Sequence, residues 1–237
     1  MNRTAIMFTG TCRSLQYTHT NINEFLINPI ENCDVFMLIA KTEHASNVSL
    51  FLNIPQVKLI SIENEPDYDT SGYRFIPGFP PPTCTPQIYS KMINQRKKAN
   101  LMLESYEATN NVTYDRVIFS RLDVKYFYSV KPHIDNLDMN TLYVPDFHNT
   151  FGGVVNGYND RFAISNRKNM AAYFNLVDSI NGFISEGNLI SPEALLKWSI
   201  TRSKIAVGHI PVRFGRVRQD GSEIDLRLKS NISRRDS

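Results

Sequence analysis

The sequence predicts an α/β fold, a single domain with a mainly parallel central sheet flanked by helices. Three observations carry that prediction. Apolar runs of strand length recur at 4–10 ("TAIMFTG"), 33–40 ("CDVFMLIA"), 57–63 ("VKLISIE") and within 115–126 ("DRVIFSRLDVKY"). Runs with so little polar alternation belong to strands covered on both faces. The segments between them are long enough to hold a helix, as a parallel crossover requires. Finally, 237 residues with 42% apolar and 21% charged composition suffice for one substantial core.

In chain order, the run at 4–10 reads as a buried strand ended by Gly10. A helical stretch follows near 18–28, with Ile22, Phe25 and Leu26 on one side. Residues 33–40 and 57–63 are expected as a second and a third buried strand. Residues 64–86 are dense in Pro, Gly and aromatics, which excludes regular structure; a loop this long inside a compact domain is functional or disordered, and its aromatics favour an ordered loop over a site. The stretch 87–108 is the strongest helix, with Ile88, Met92, Ala99, Met102, Leu103 and Tyr106 as its expected buried stripe. It leads into 115–126 and completes a β-α-β step. Short strands are expected at 141–146 and 160–165, separated by a loop rich in Gly and Asn at 149–159. Helices are expected over 166–180 and 191–201, the second with Ser191 as N-cap and Pro192 at its first position. Strand-like alternation returns at 204–218. Residues 1–220 are read as one domain and 221–237 as a polar C-terminal tail.

Charge and cysteine usage narrow the function classes. A formal net charge of +3 is too small to point to nucleic acid. The local clusters "QRKK" (95–98, with Lys98) and "RFGRVR" (213–218) suit a compact anion such as a diphosphate. Cys12, Cys33 and Cys84 are widely spaced and form no C-x-x-C, which argues against a disulfide framework or zinc site and for a reducing compartment. No basic-then-apolar leader opens the chain and no window reaches membrane-spanning length, so the expected location is cytoplasmic. The sequons at Asn47, Asn111 and Asn231 would matter only in a secretory lumen.

In an open α/β sheet, ligands bind beyond the carboxyl ends of the strands. Arg121 and Asp123 share one face at such an end, by the strand period of two. A carboxylate there can hold a divalent cation, and oxygen ligands favour Mg²⁺ or Mn²⁺; the same pair also makes a plain strand-end ion pair. The first strand ends in "FTGTCRS", where the small-residue turn Thr9, Gly10, Thr11 lets backbone N–H groups approach a nucleotide, with Arg13 near for phosphate. The chain has neither G-x-G-x-x-G at that turn nor G-x-x-x-x-G-K-[ST], which disfavours a nicotinamide dehydrogenase and a P-loop NTPase.

The pattern "YDRVIFSRLDVKY", preceded by "KKANLMLESYE" and followed by "NDRFAISN" and "PEALL", resembles nucleotide-sugar glycosyltransferases of the GT-A fold. The nearest likeness is to small enzymes of large algal viruses and bacterial surface-polysaccharide clusters, and it covers roughly residues 4–220. The resemblance implies a D-x-D that binds metal and the sugar-nucleotide diphosphate. Here the match is "RLD": Asp123 fits the metal-binding final aspartate, while Arg121 stands in place of the first and can itself neutralise phosphate. A literal "DYD" (Asp67, Asp69) lies inside the Pro-rich loop, the wrong place for the family. The resemblance also makes His209 a metal or diphosphate ligand, Arg218 a diphosphate clamp and Asp160 a holder of donor-sugar hydroxyls and second candidate base. Glu193 becomes the general base that an inverting transfer needs, kept ionised by the helix dipole; a retaining transfer would not need it, and an acidic residue in a first turn is also ordinary dipole complementarity. The loop 149–159 would close over donor or meet acceptor. The implied partners are a UDP- or GDP-sugar donor and a glycan or glycoprotein acceptor, with Mn²⁺ or Mg²⁺ as cofactor. The rivals are a nucleotidyltransferase, whose first loop carries a lysine absent from "FTGTCRS", and a non-catalytic glycan-binding module.

Overall fold

The computed structural model describes residues 3–76, 85–151 and 155–224. Cys84, the Asn231 sequon, the middle of the Pro-rich stretch, residues 152–154 of the Gly-rich loop and the tail from 225 onward lie outside the described residues. The amino-terminal half runs β1 (Thr4–Gly10), α1 (Leu15–Ile22), β2 (Cys33–Ala40), β3 (Val57–Glu63), α2 (Pro86–Asn110), β4 (Arg116–Arg121) and β5 (Val124–Tyr126). There follow β6 (Leu142–Pro145), the short β7 (Thr150–Phe151) and β8 (Val155–Asn156), and β9 (Phe162–Ser165). The chain continues through α3 (Arg167–Phe174), α4 (Ile180–Ser185), α5 (Pro192–Arg202), β10 (Val207–Ile210), β11 (Phe214–Val217) and β12 (Glu223–Ile224).

Seven strands form the central sheet in the order β10-β6-β9-β4-β1-β2-β3. Of these seven, β9 alone runs antiparallel to its neighbours, so the sheet is mainly parallel, as expected. Strand period two explains the apolar runs. Ile6, Phe8, Val35, Met37, Ile39 and Ile118 enter the core on the α1 side, while Ala5, Met7, Phe36, Leu38, Val117 and Phe119 enter the core under α2, α3 and α5. With two cores to fill, neither face of the central strands can be polar. β3 departs from the expectation of a third buried strand. It is the sheet edge, no residue in it is fully buried, and Lys58 and Ile62 are exposed.

The long helix α2 is capped as its sequence allows: the Thr85 side chain accepts from the Ile88 N–H (3.2 Å), Pro86 takes the first position, and Asn111 closes the end in the left-handed conformation. Of the expected stripe, Ala99 and Leu103 are buried and Met92, Met102 and Tyr106 pack partly buried against the core. Tyr89, Ile93, Arg96, Ala99, Asn100 and Leu103 face the sheet, whereas Ile88 is 50% exposed. The buried face of the helix includes an arginine, which apolar counting alone skips. The described part of the Pro-rich stretch is ordered against the core: Phe75 bridges to Ile190, and its ring meets Tyr89 edge-on at 5.8 Å. At the amino end of the sheet, Arg3 and the Tyr114 hydroxyl both donate to Asp34 (2.7 Å each).

The run 115–126 is two elements. β4 stops at Arg121, residues 122–123 turn, and β5 joins a separate antiparallel sheet in the order β12-β11-β5. From β1 the chain winds outward through β2 and β3, then returns to place β4 on the other side of β1. Strand order therefore reverses between β1 and β4, which opens a crevice at their carboxyl ends.

Candidate active site

The crevice is a cleft of about 380 Å³. Thr9, Gly10, Thr11 and Arg13 form the β1 side, Arg121, Leu122 and Asp123 the β4 side, and the first turns of α2 a wall. Gly10 holds φ +125, a conformation that only glycine adopts at ease, and no atom lies within 4 Å of where a Cβ would stand. The turn is thus shaped by backbone and left open toward the cleft. Five basic residues (Arg13, Lys41, Lys91, Arg96, Arg121) and two acidic ones (Glu65, Asp123) line the space. That balance favours an anion.

Several anchors fix the β4 end. Thr18 donates to the Leu122 carbonyl (2.7 Å), and the Val217 N–H to that of Asp123 (2.8 Å). Ser14 donates to the Val217 carbonyl (2.7 Å), which ties the β1 turn to the same hairpin. On this turn the Arg121 guanidinium grips Asp123 through both carboxylate oxygens, Nε to Oδ1 at 2.8 Å and Nη2 to Oδ2 at 2.7 Å. Burial pushes the Asp123 carboxyl up, but Arg121, with Arg13 and Arg216 beyond it, holds it below the usual carboxylate range.

Behind the cleft lies a second charged group. Arg96 is 1% exposed, and its Nη2 donates to both the carbonyl (2.8 Å) and the carboxylate (2.9 Å) of Asp160. Its guanidinium lies against the rings of Phe119 (4.8 Å) and Tyr173 (5.4 Å), while its Nε and Nη1 are buried without a hydrogen-bond partner. Asp160 is buried too; desolvation would raise its pKa, and Arg96, Arg121 and Arg161 hold it low. Its turn is set by Asn159, whose side chain accepts from the Arg161 N–H (3.0 Å) and donates to the Phe147 carbonyl (2.8 Å).

Glu193 stands in the first turn of α5, which Ser191 caps through the Ala194 N–H (3.0 Å). The Tyr158 N–H donates to its carbonyl (3.0 Å), and a Cβ on Gly157 would overlap its backbone, so this loop and helix meet at van der Waals contact. The Oε2 atom is buried and unbonded. Burial, reinforced by the charge of Asp160, raises the carboxyl to about 7 against the pull of Arg161 and Arg121. This corrects the expectation of a fully ionised group: desolvation and a neighbouring carboxylate outweigh the helix N-terminus.

The structure brings Thr9, Gly10, Thr11, Arg13, Arg121 and Asp123 together around one cleft, with Asp160 and Glu193 in the same field. Five expected residues are not in its lining: Asp160 and Glu193, which reach it only through their charge, and Lys98, Arg218 and His209. Lys98 faces the edge strand, bonded to Glu65 (3.2 Å), whereas Arg96 of the same basic cluster turns inward by helical period. Arg218 is exposed at the β11–β12 turn. His209 lies on β10, three strands from β4 or roughly 14 Å across the sheet, exposed and facing the Tyr158 ring at 6.0 Å. Of "DYD", Asp67 pairs with Lys91 (2.7 Å) and Asp69 caps the Ser71 N–H (2.9 Å).

The residues present do not fit the expected divalent cation. Both oxygens of Asp123 are engaged by Arg121, His209 is remote, and among the described residues no three His, Cys, Asp or Glu side chains converge. Lys41, Arg96, Arg161 and Arg216 are site residues that sequence reading did not single out. For Arg96 and Arg216 the signal was present, since each sits in a basic cluster already noted.

No curated protein matches the chain in sequence. Among solved structures the chain is similar to the galactosyltransferase LgtC in complex with donor and acceptor sugar analogues, at 14% identity and TM-score 0.50, over 86% of this chain and 72% of that one. An active-site mutant of LgtC matches over the same shares of both chains, at 15% identity and TM-score 0.50. The glycosyltransferase GlyE of Streptococcus pneumoniae TIGR4 matches at 12% identity and TM-score 0.46, over 88% of this chain, with the chain spanning 45% of its length. The likeness to LgtC is one of fold: a mixed α/β arrangement around a mostly parallel sheet, as in GT-A glycosyltransferases. Among the described residues no helix is long and apolar enough to cross a membrane. A family model, described as a domain of unknown function (DUF7796), matches residues 1–218, and the chain belongs to that family.

Proposed function

We propose that the chain is a glycosyltransferase that moves a sugar from a nucleoside-diphosphate donor to a hydroxyl of a glycan or glycoprotein. One observation carries this reading: a basic cleft at the topological switch point shares its electrostatic field with a carboxyl tuned to about 7. The fold likeness to LgtC supports the same class of chemistry.

The β1 turn offers backbone N–H groups to the donor, and Arg13 and Arg121 take its phosphate oxygens by charge-assisted hydrogen bonds. These cations stabilise the charge that builds on the departing nucleoside diphosphate. Glu193 accepts the proton of the acceptor hydroxyl as that oxygen bonds to the anomeric carbon and the carbon–oxygen bond to the diphosphate breaks. The product is inverted. A base with pKa about 7 is half-ionised at neutral pH, so transfer rises with pH through that value and levels off above it. Asp160, held ionised by Arg96, does not cycle a proton; its charge keeps the Glu193 pKa high.

The test is product analysis by mass spectrometry after incubation with UDP- and GDP-sugars and glycan acceptors, with NMR of the product anomer. Free nucleoside diphosphate and an inverted linkage are expected. Released pyrophosphate would mean nucleotidyl transfer, binding without turnover a glycan-binding module, and a retained linkage removes Glu193 from the role of base.

A further inference from the structure

We propose that the diphosphate in this cleft is held by guanidinium groups in place of a divalent cation, with Arg121 as the centre of the cluster. The inference rests on reading the cleft as a diphosphate site. Both acidic residues that line it are already committed. Asp123 gives its two oxygens to Arg121, and the backbone of its turn is held from two sides by Thr18 and Val217. Glu65 accepts from Lys98 (3.2 Å) and from the Tyr68 hydroxyl (3.4 Å). A dication entering here would meet two carboxylates already paired with side-chain cations.

The surroundings are also positive beyond the lining. Arg216 and Arg13 lie near enough to Asp123 to bias its charge, and Arg161 lies in the fields of both Arg216 and Arg121. A metal ion would be repelled by the same guanidiniums that attract a phosphate. The independent observation is Arg96. It lines the cleft, is almost wholly buried, and keeps two N–H groups, Nε and Nη1, without acceptors. Buried donors without acceptors are costly, and the oxygens of a bound anion are the acceptors that this wall lacks. Arginine suits the task because it remains charged at any working pH and carries more N–H donors than a single carboxylate can take up.

Isothermal titration calorimetry of the full chain with UMP, UDP, GMP and GDP tests this, each run in EDTA and again in millimolar Mn²⁺. The expected result is that UDP or GDP binds at least about tenfold tighter than its monophosphate in EDTA, and that Mn²⁺ changes the diphosphate Kd by less than about twofold. Arg121→Gln and Arg13→Gln should each shrink the ratio of diphosphate to monophosphate affinity without restoring it in Mn²⁺. Arg121→Lys, which keeps charge but loses the fork, should fall between wild type and Arg121→Gln. If Arg121→Gln fails to fold, the lysine and Arg13 variants decide. A ratio near one in EDTA that recovers when Mn²⁺ is added would overturn the proposal and restore a metal site while leaving the diphosphate reading intact. Absence of any nucleotide binding in both buffers would overturn the diphosphate reading, and this inference with it.

Discussion

Replacing Glu193 by glutamine should make the protein more stable and less active, and both differences should grow as pH rises through about 7. The folded carboxyl titrates at about 7 because it is buried beside Asp160, whereas the ordinary value is 4.5. Between those values the folded state binds a proton that the unfolded chain releases. Stability from this group is therefore complete below the unfolded pKa and is lost as pH rises through the folded one. At about 1.4 kcal/mol per pH unit, that interval is worth roughly 3 kcal/mol, and roughly 2 once some of the charge repulsion is relieved by local relaxation. Glutamine mimics the protonated form and carries no such cost. Glu193→Gln should match wild type near pH 5 and exceed it near pH 8.5 by about 2–3 kcal/mol, or roughly 4–10 °C in Tm for a chain of this size. Differential scanning calorimetry at both pH values measures it, paired with a transfer assay in which the same variant should lose roughly 10²–10⁴-fold activity. An equal Tm difference at both pH values, or a glutamine variant less stable at the higher one, would refute the burial argument. Near-normal turnover would refute the catalytic one.

Two further outcomes follow from the buried groups. Arg96→Met should destabilise by about 3–5 kcal/mol in urea melts because it strands Asp160 as a buried charge, whereas Arg96→Met combined with Asp160→Leu should recover most of that loss; additive losses would mean the two do not act as a pair. Cys12 and Cys33 are buried with thiols pushed up to about 12 and about 11, so native protein should resist iodoacetamide at both positions until denatured, as peptide mass spectrometry would record.

Much of this architecture is legible in the sequence because parallel strands covered on both faces must be apolar throughout. The β1, β2 and β4 runs could not be anything else, and the surfacing of Arg121 and Asp123 at the end of one of them marked the cleft. Other features depend on facts that no local pattern carries. Strand order removed His209 from the site, since adjacency in a sheet is a property of the whole chain. Helical phase chose Arg96 over Lys98; a charged residue in a helix is read as solvent-facing until its partner, 64 positions away, is known. The ionisation of Glu193 is set by desolvation and by Asp160, neither of which can be seen from its place at a helix start. The apolar stripe of α2 was legible except at Ile88, but the polar part of its buried face, Gln95, Arg96 and Asn100, was not. What sequence missed, in each case, is charge held inside the core by something distant along the chain.

The buried Arg96–Asp160 pair has a use beyond this chain. An ion pair sealed in a core can usually be exchanged, both members together, for apolar residues of similar volume at little cost to the fold. A lineage that no longer needed the charge could therefore discard it in two steps. The pair offers a two-position marker for sorting sequences of the family: a member with Arg and Asp at these positions would keep the electrostatic wall, and one with two apolar residues would lack it. A chain that has changed only one of the two marks an intermediate under strain, and is the place to look for a compensating substitution nearby.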